Sequence, residues 1–160
     1  MKHVYVLLLI GLFTQCSSTD KKSDSGANNI VLTDLSGNSV SLDSYKGKTV
    51  FINFWATWCK PCIQEMPTIV TMMEKFKDDK IVFLFASNEE VDQIEKFERK
   101  HSFGFHYVHV DNLEALNILA LPTTYIFNSD GDLKFSEAGF RAWDSNENLE
   151  LISKIVNNEK

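Results

Sequence analysis

The chain has 160 residues, of which 44% are hydrophobic, and its formal net charge is −6. This length is enough for one well-filled hydrophobic core and too short for two ordinary domains. The sequence has no cluster of basic residues. Because a nucleic-acid-binding surface needs concentrated Lys and Arg, this charge pattern argues against nucleic acid as a partner. We therefore expect a single acidic domain.

The N-terminus has the pattern of a targeting segment. Lys2 and His3 precede an apolar run from Val4 to Phe13, and these ten residues are too few for a membrane-spanning helix of about 20 residues. We predict a signal peptide over residues 1–15. The mature chain is then expected to leave the cytoplasm.

Cys16 follows this segment and resembles the lipidated cysteine of a bacterial lipoprotein. Gln15 departs from the small residue that usually precedes that cysteine, so ordinary signal cleavage is the alternative. Residues 16–29 are too polar to bury apolar surface and are predicted to form a flexible tether. Residues 30–160 remain for the folded domain, which we expect on the periplasmic side of the cell envelope, anchored through Cys16 or secreted.

The folded domain begins with the pattern of a β-hairpin. Ile30–Asp34 and Ser39–Leu42 alternate apolar and polar residues around a turn at Ser36-Gly37-Asn38. A short helical turn over residues 43–48, with Gly47 at its end, leads into the next strand.

That next stretch, TVFINFWATWCKPCIQEMP over residues 49–67, organises the domain. An apolar run from Val50 to Trp55 predicts a buried strand, and a turn with Cys59 and Cys62 follows it. A helix to about Lys77 comes next, because apolar residues recur at spacings of three and four, at Met66, Ile69, Val70, Met73 and Phe76.

Cys59 is expected at the first turn of this helix, where the absent N–H of Pro61 removes no intrahelical hydrogen bond. Unpaired backbone N–H groups and the helix dipole favour a thiolate there, by roughly 0.3–1 kcal/mol, and Lys60 adds a neighbouring cation. We therefore predict that Cys59 is the attacking sulfur and that Cys62, one turn further, resolves the mixed disulfide.

A C-x-x-C pair also admits two other interpretations. A zinc site would need two more ligands from His101, His106 and His109, and the last two fall on opposite faces if they lie on one strand. A purely structural disulfide would close so short a loop that it would constrain the unfolded chain little. We favour a redox-active pair over both, with no cofactor besides the disulfide itself.

Strand and helix patterns alternate through the rest of the chain. We predict strands over Ile81–Ala86, Phe105–Val110, Leu121–Phe127 and Asp132–Ser136, and helices over Glu90–His101, Leu113–Leu119 and Asn146–Val156. Asp130-Gly131 is a hairpin turn between the last two strands. Apolar strands that alternate with helices predict an α/β fold whose parallel core is covered on both faces.

Several motifs together resemble the thioredoxin superfamily, in its extracytoplasmic TlpA/ResA-like branch. They are DLSGNSVSL, KGKTVFINFWATWC, WCKPC and LPTT, and the resemblance covers roughly residues 28–157. It implies a thioredoxin fold, with an N-terminal β-hairpin and a central mixed sheet flanked by helices. It also implies thiol-disulfide exchange with protein disulfides as substrates.

The resemblance assigns a role to Glu65, which follows Cys62 by three residues and so shares its helix face. A buried carboxyl there would have a raised pKa and could take and return the Cys62 proton. A solvated glutamate that merely favours the helix dipole is the alternative. Asn53 stands where thioredoxins proper have a buried Asp, and an amide cannot accept that proton.

The other implied site residues would contact the substrate. Pro122 of the LPTT motif is expected in the cis form facing the cysteines, which leaves the backbone of Leu121 free to pair with a substrate strand. Trp58 is predicted as an apolar rim beside the reactive cysteine, together with Lys60 and Pro61. Trp55 is expected in the core, and no role follows for Trp143, which lies in a predicted loop.

We therefore predict a monomeric thiol-disulfide oxidoreductase of the reductase type, re-reduced by a membrane thiol-disulfide carrier. The resemblance implies a role in cytochrome c maturation or in envelope redox homeostasis. A thiol peroxidase is one alternative, although Ile52 and Ala56 stand where that activity usually has Pro and Thr. A lipoprotein that binds a partner through an inert site is the other.

Overall fold

The computed structural model describes residues 29–77 and 80–157. The signal peptide, Cys16 and nearly all of the predicted tether lie outside the described residues. The described residues form seven strands and three α-helices, which are β1 Leu32–Asp34, β2 Ser39–Val40, β3 Thr49–Phe54, α1 Lys60–Lys75, β4 Ile81–Ser87, α2 Val91–His101, β5 Tyr107–Val110, β6 Thr123–Phe127, β7 Leu133–Ala138 and α3 Asn146–Val156. Within this part of the chain, no helix has the length and apolar character needed to cross a bilayer.

The seven strands form one sheet in the order β2-β1-β5-β4-β3-β6-β7. The central strands β3, β4 and β5 pair in parallel, whereas β1, β2, β6 and β7 pair antiparallel with their neighbours. The predicted fold class is therefore confirmed: a mixed sheet with an N-terminal hairpin and a second hairpin at the opposite edge.

Both faces of the sheet are covered, but by different elements. All three α-helices bury their apolar side chains in one cluster, together with Phe51, Phe85 and Ile126 of the sheet. Because β3, β4 and β5 advance in one direction across the sheet, right-handed crossovers place α1 and α2 on the same face. The other face is covered by residues of two short 3₁₀ helices, Leu42–Tyr45 and Leu113–Leu116.

The helix bounds agree with the sequence pattern at most positions. Helix α3 begins where Ser145 accepts a hydrogen bond from the N–H of Asn148, a side-chain cap of the expected kind. The helix predicted over Leu113–Leu119 is shorter than expected and is 3₁₀ in form. It ends because Asn117 adopts a left-handed conformation with φ of 55°.

One edge of the sheet collects the segments that carry the motifs. Phe54, the last residue of β3, lies opposite Ala86 of β4 and opposite Thr123, the first residue of β6. The cysteine motif after β3, the loop after β4 and the segment around Pro122 before β6 therefore meet at this edge.

Candidate active site

Cys59 and Cys62 lie at the N-terminus of α1 and are joined by a disulfide, with their Cα atoms 5.3 Å apart. Cys59 is the N-cap residue, and its Sγ accepts a hydrogen bond of 3.3 Å from the backbone N–H of Cys62. Pro61 occupies one of the first two helical positions, where a missing N–H costs no helical hydrogen bond. The local geometry places one sulfur among helix N-terminal N–H groups, which favour a thiolate.

The two sulfur-bearing residues differ in their access to solvent. Cys62 is fully buried, whereas Cys59 keeps 3% of its surface exposed. Trp58, directly before Cys59, is 73% exposed, and Lys60 and Pro61 are exposed as well. When this protein is oxidised, an incoming partner therefore reaches the disulfide from the Cys59 side.

Glu65 lies on α1 three residues after Cys62 and is fully buried. Its Oε1 accepts a hydrogen bond of 2.7 Å from Asn53 Nδ2, and its Oε2 accepts one of 3.1 Å from the backbone N–H of Arg141. Burial raises the pKa of Glu65 to about 7, although the backbone N–H of Arg141 and the side chain of Asn53 oppose the rise. The carboxyl thus titrates near neutral pH.

Asn53 connects Glu65 to the neighbouring strand of the sheet. It lies on β3 directly opposite Thr124 of β6, and its Nδ2 also donates to Thr124 Oγ1 over 3.1 Å. Its carbonyl oxygen Oδ1 is buried without a hydrogen-bond partner within the described part of the chain. The sequence singled out Asn53 only as a residue unable to accept a proton.

Trp143 has a place that the sequence did not predict. It is fully buried, and its ring packs edge-on against Phe51 and Phe135. The hydroxyl of Thr68 on α1 accepts a hydrogen bond of 3.0 Å from the backbone N–H of Trp143 and so fixes the backbone of Trp143. The segment that carries Arg141 is thereby held over Glu65.

The peptide bond between Leu121 and Pro122 is cis, as the resemblance implied. The carbonyl of Pro122 accepts the N–H of Gly139, over 2.7 Å. The backbone N–H and C=O of Leu121 make no hydrogen bond to another described residue. Leu121 can therefore offer both groups to an incoming strand.

The loop before Cys59 is held by a second glutamate that the sequence did not single out. Glu89, just after β4, accepts the backbone N–H and the hydroxyl of Thr57, each over 2.6 Å, and Ser87 Oγ lies 3.2 Å from the same carboxylate. The available signal was its position directly after a parallel strand, since the carboxyl ends of neighbouring parallel strands share an edge. This carboxylate fixes Thr57 two residues before the reactive cysteine.

Among the residues that the structure describes, no group of three or more His, Cys, Asp or Glu side chains is arranged to hold a metal ion. His109 instead lies 2.9 Å from Asp111, between Nδ1 and Oδ1.

Proteins of a known family are similar to this chain in sequence and in fold. Residues 24–136 match the AhpC/TSA family. The chain is 32% identical over 140 residues to thiol-disulfide oxidoreductase ResA of Bacillus cereus, covering 80% of each chain. This chain belongs to the AhpC/TSA family, among ResA-like thiol-disulfide oxidoreductases. A second relative, ResA of Geobacillus kaustophilus, is 38% identical over 115 residues, covering 69% of this chain and 66% of that one.

Solved structures of this class share the fold of this oxidoreductase. The thioredoxin domain of a thiol-disulfide oxidoreductase from Bacteroides vulgatus is 27% identical with a TM-score of 0.66, covering 80% of this chain and 93% of that one. A thiol:disulfide interchange protein from a Bacteroides species is 27% identical with a TM-score of 0.67, covering 80% and 86%. The predicted superfamily, fold and thiol-disulfide exchange activity are thus confirmed.

Proposed function

We propose that this oxidoreductase works as a reductase of protein disulfides. The Cys59 thiolate attacks one sulfur of a substrate disulfide, which forms a mixed disulfide and releases the first substrate thiolate. The Cys62 thiolate then attacks Cys59 Sγ, which forms the Cys59–Cys62 disulfide and releases the second substrate thiolate. Two electrons pass from the cysteine pair to the substrate. A membrane thiol-disulfide carrier then supplies two electrons that reduce the Cys59–Cys62 disulfide again.

Glu65 supplies the proton transfer that the second step needs. Cys62 is fully buried, so its thiol has no solvent to take the proton. A carboxylate one helical turn away, with a pKa of about 7, can accept that proton as Cys62 becomes nucleophilic and return it when the pair is reduced again. The single observation that carries the proposal is this buried carboxyl beside the buried cysteine.

The experiment is insulin disulfide reduction by wild type, Cys59→Ser and Glu65→Gln. Cys59→Ser should abolish turnover, and Glu65→Gln should lower kcat about 100-fold or more, the lower range for a general base. Glu74→Gln, an exposed carboxylate on the same helix, is the matched control. Absence of insulin reduction by the wild type would instead favour a binding module, full activity of Cys59→Ser would show that Cys59 is not the attacking sulfur, and full activity of Glu65→Gln would remove the proton relay.

The direction of electron flow is tested by the reduction potential of the pair. A reductase needs a potential well below the roughly −120 mV of strongly oxidising disulfide enzymes. Equilibration of the protein with glutathione buffers, followed by thiol alkylation, measures this value. A potential near −120 mV would identify an oxidase instead.

The proposed place of action is the cell envelope, with the domain tethered by a lipid on Cys16. The polar segment over residues 16–29 is long enough to hold the domain away from a surface. Metabolic labelling with a fatty acid should mark the wild type and leave Cys16→Ala unmarked. Labelling of neither protein would favour a chain released after signal cleavage.

A further inference from the structure

The buried side-chain amide of Asn53 makes hydrogen bonds through its nitrogen only. Nδ2 donates one proton to Glu65 Oε1 at 2.7 Å and the other to Thr124 Oγ1 at 3.1 Å. Oδ1 is buried and unpartnered within the described residues. An orphaned buried carbonyl is costly and calls for an explanation.

This arrangement matches an ionised Glu65 best, because both carboxylate oxygens then act as full acceptors. The backbone N–H of Arg141 can only donate, so the stronger carbonyl acceptor is best kept at Oε2 and an added proton is best placed on Oε1. There it would face the Nδ2 protons of Asn53, donor against donor. A rotation of the amide by about 180° removes this conflict, because amide nitrogen and oxygen are nearly equal in size.

The rotated amide makes as many hydrogen bonds as the original. Oδ1 would then accept the Glu65 O–H and the hydroxyl proton of Thr124, since a hydroxyl can donate as well as accept. Each orientation makes two hydrogen bonds and leaves one end of the Asn53 amide unpaired, so the number of hydrogen bonds alone does not select between them. The protonation state of Glu65 then selects the orientation.

We propose that Asn53 is a positioning residue that acts as an amide switch, donating to Glu65 when it is ionised and accepting from it when it is protonated. Both states of the carboxyl are thus held in one place beside Cys62. An aspartate at this position could not donate while ionised. The use of the switch in turnover rests on the proposed proton relay, whereas its existence does not.

Among the described residues, the hydrogen-bond partners and helix neighbours of Glu65 include few groups that ionise. On α1 the neighbour one turn away is Cys62, and the β3 and β6 residues beside it, Asn53 and Thr124, do not ionise. The loop after β7 contributes Arg141, whose guanidinium bonds to Asn148 and to Glu137. The pH response of Asn53 therefore reports Glu65 and, in the reduced protein, Cys62.

The test is an NMR titration of the oxidised protein with ¹⁵N-labelled asparagine. Above the Glu65 midpoint the Nδ2 protons of Asn53 should show Overhauser contacts to the Thr124 side chain, and below it these contacts should be lost. Asn128, whose Oδ1 accepts the N–H groups of Asp130 and Asp132 in the β6–β7 turn, is the internal control and should not follow this midpoint. Contacts that persist below the midpoint would overturn the switch.

Glu65→Gln gives a second, independent arm. The amide of the substituted side chain donates where the Glu65 O–H would, so Asn53 should stay in the rotated orientation at every pH. An Asn53 amide that still titrates in Glu65→Gln would overturn the assignment. Insulin assays separate the two proposals. If wild type and Glu65→Gln had equal turnover, the proton relay would be removed. If the Asn53 amide of the wild type still responded to pH, the amide switch would be sustained.

Discussion

Glu65 makes the free energy of unfolding depend on pH between about pH 4.5 and pH 7. Its pKa is about 7 in the folded protein against an ordinary value of 4.5. Between these two values the folded state holds a proton that the unfolded state has lost, so the free energy of unfolding falls as the pH rises through this window. At about 1.4 kcal/mol per pKa unit, the loss is roughly 3 kcal/mol.

Glu65→Gln should therefore be more stable than wild type above pH 7 while being less active. The neutral amide has no charge to desolvate, so its advantage should be present at about pH 8 and largely absent at about pH 5. Urea unfolding of the oxidised proteins at these two pH values measures the difference. Glu74→Gln should change little at either pH, and an equal effect of Glu65→Gln at both would disprove the raised pKa.

The loop between β3 and α1 holds the reactive cysteine in place. The hydroxyl and backbone N–H of Thr57 both bond to the Glu89 carboxylate. Thr57→Val removes the hydroxyl, and a hydrogen bond to a charged group contributes about 1.5–3 kcal/mol. We expect that loss in urea unfolding, together with slower insulin reduction.

Thr57→Ser is the matched control, because it keeps the hydroxyl and removes only a methyl group. It should retain most of the stability and activity. If Thr57→Ser lost as much as Thr57→Val, the methyl packing and not the bond to Glu89 would be responsible.

The elements were largely predictable from the sequence, but some site contacts were not. Helix α3 follows from local periodicity and the cap at Ser145, which are visible within a few residues. The role of Glu89 depends on a bond to a residue 32 positions away, and local patterns carry no such information. Trp143 likewise lies in an irregular segment whose burial is decided by distant partners on β3 and β7.

Three exposed apolar side chains lie next in the chain to segments at the edge of the sheet that carries the disulfide. Trp58 precedes Cys59, Leu119 precedes the Leu121-Pro122 segment, and Phe140 follows Gly139, which bonds to Pro122. They are 73%, 95% and 51% exposed. Of the three, Trp58 is directly next to the reactive cysteine, where its flat apolar ring can contact a protein substrate.

Trp58→Ala should raise the KM for insulin several-fold while leaving the reduction of a small aromatic disulfide nearly unchanged. Only the protein substrate is large enough to use the rim, and an exposed tryptophan contributes little to stability. Val31→Ala, a half-exposed apolar residue next to β1 on the far side of the sheet order, is the control. A parallel loss with both substrates would place Trp58 in the chemistry instead.

In the reduced protein we expect Cys59 to be a reactive thiolate at the tip of α1 while Cys62 stays protected. The most direct test is the pH dependence of iodoacetamide alkylation in the fully reduced protein, with the modified cysteine mapped by mass spectrometry. We predict selective modification of Cys59 with a midpoint clearly below the value of about 8.5 for a free thiol. Modification of Cys62 first, or a Cys59 midpoint at or above about 8.5, would contradict it.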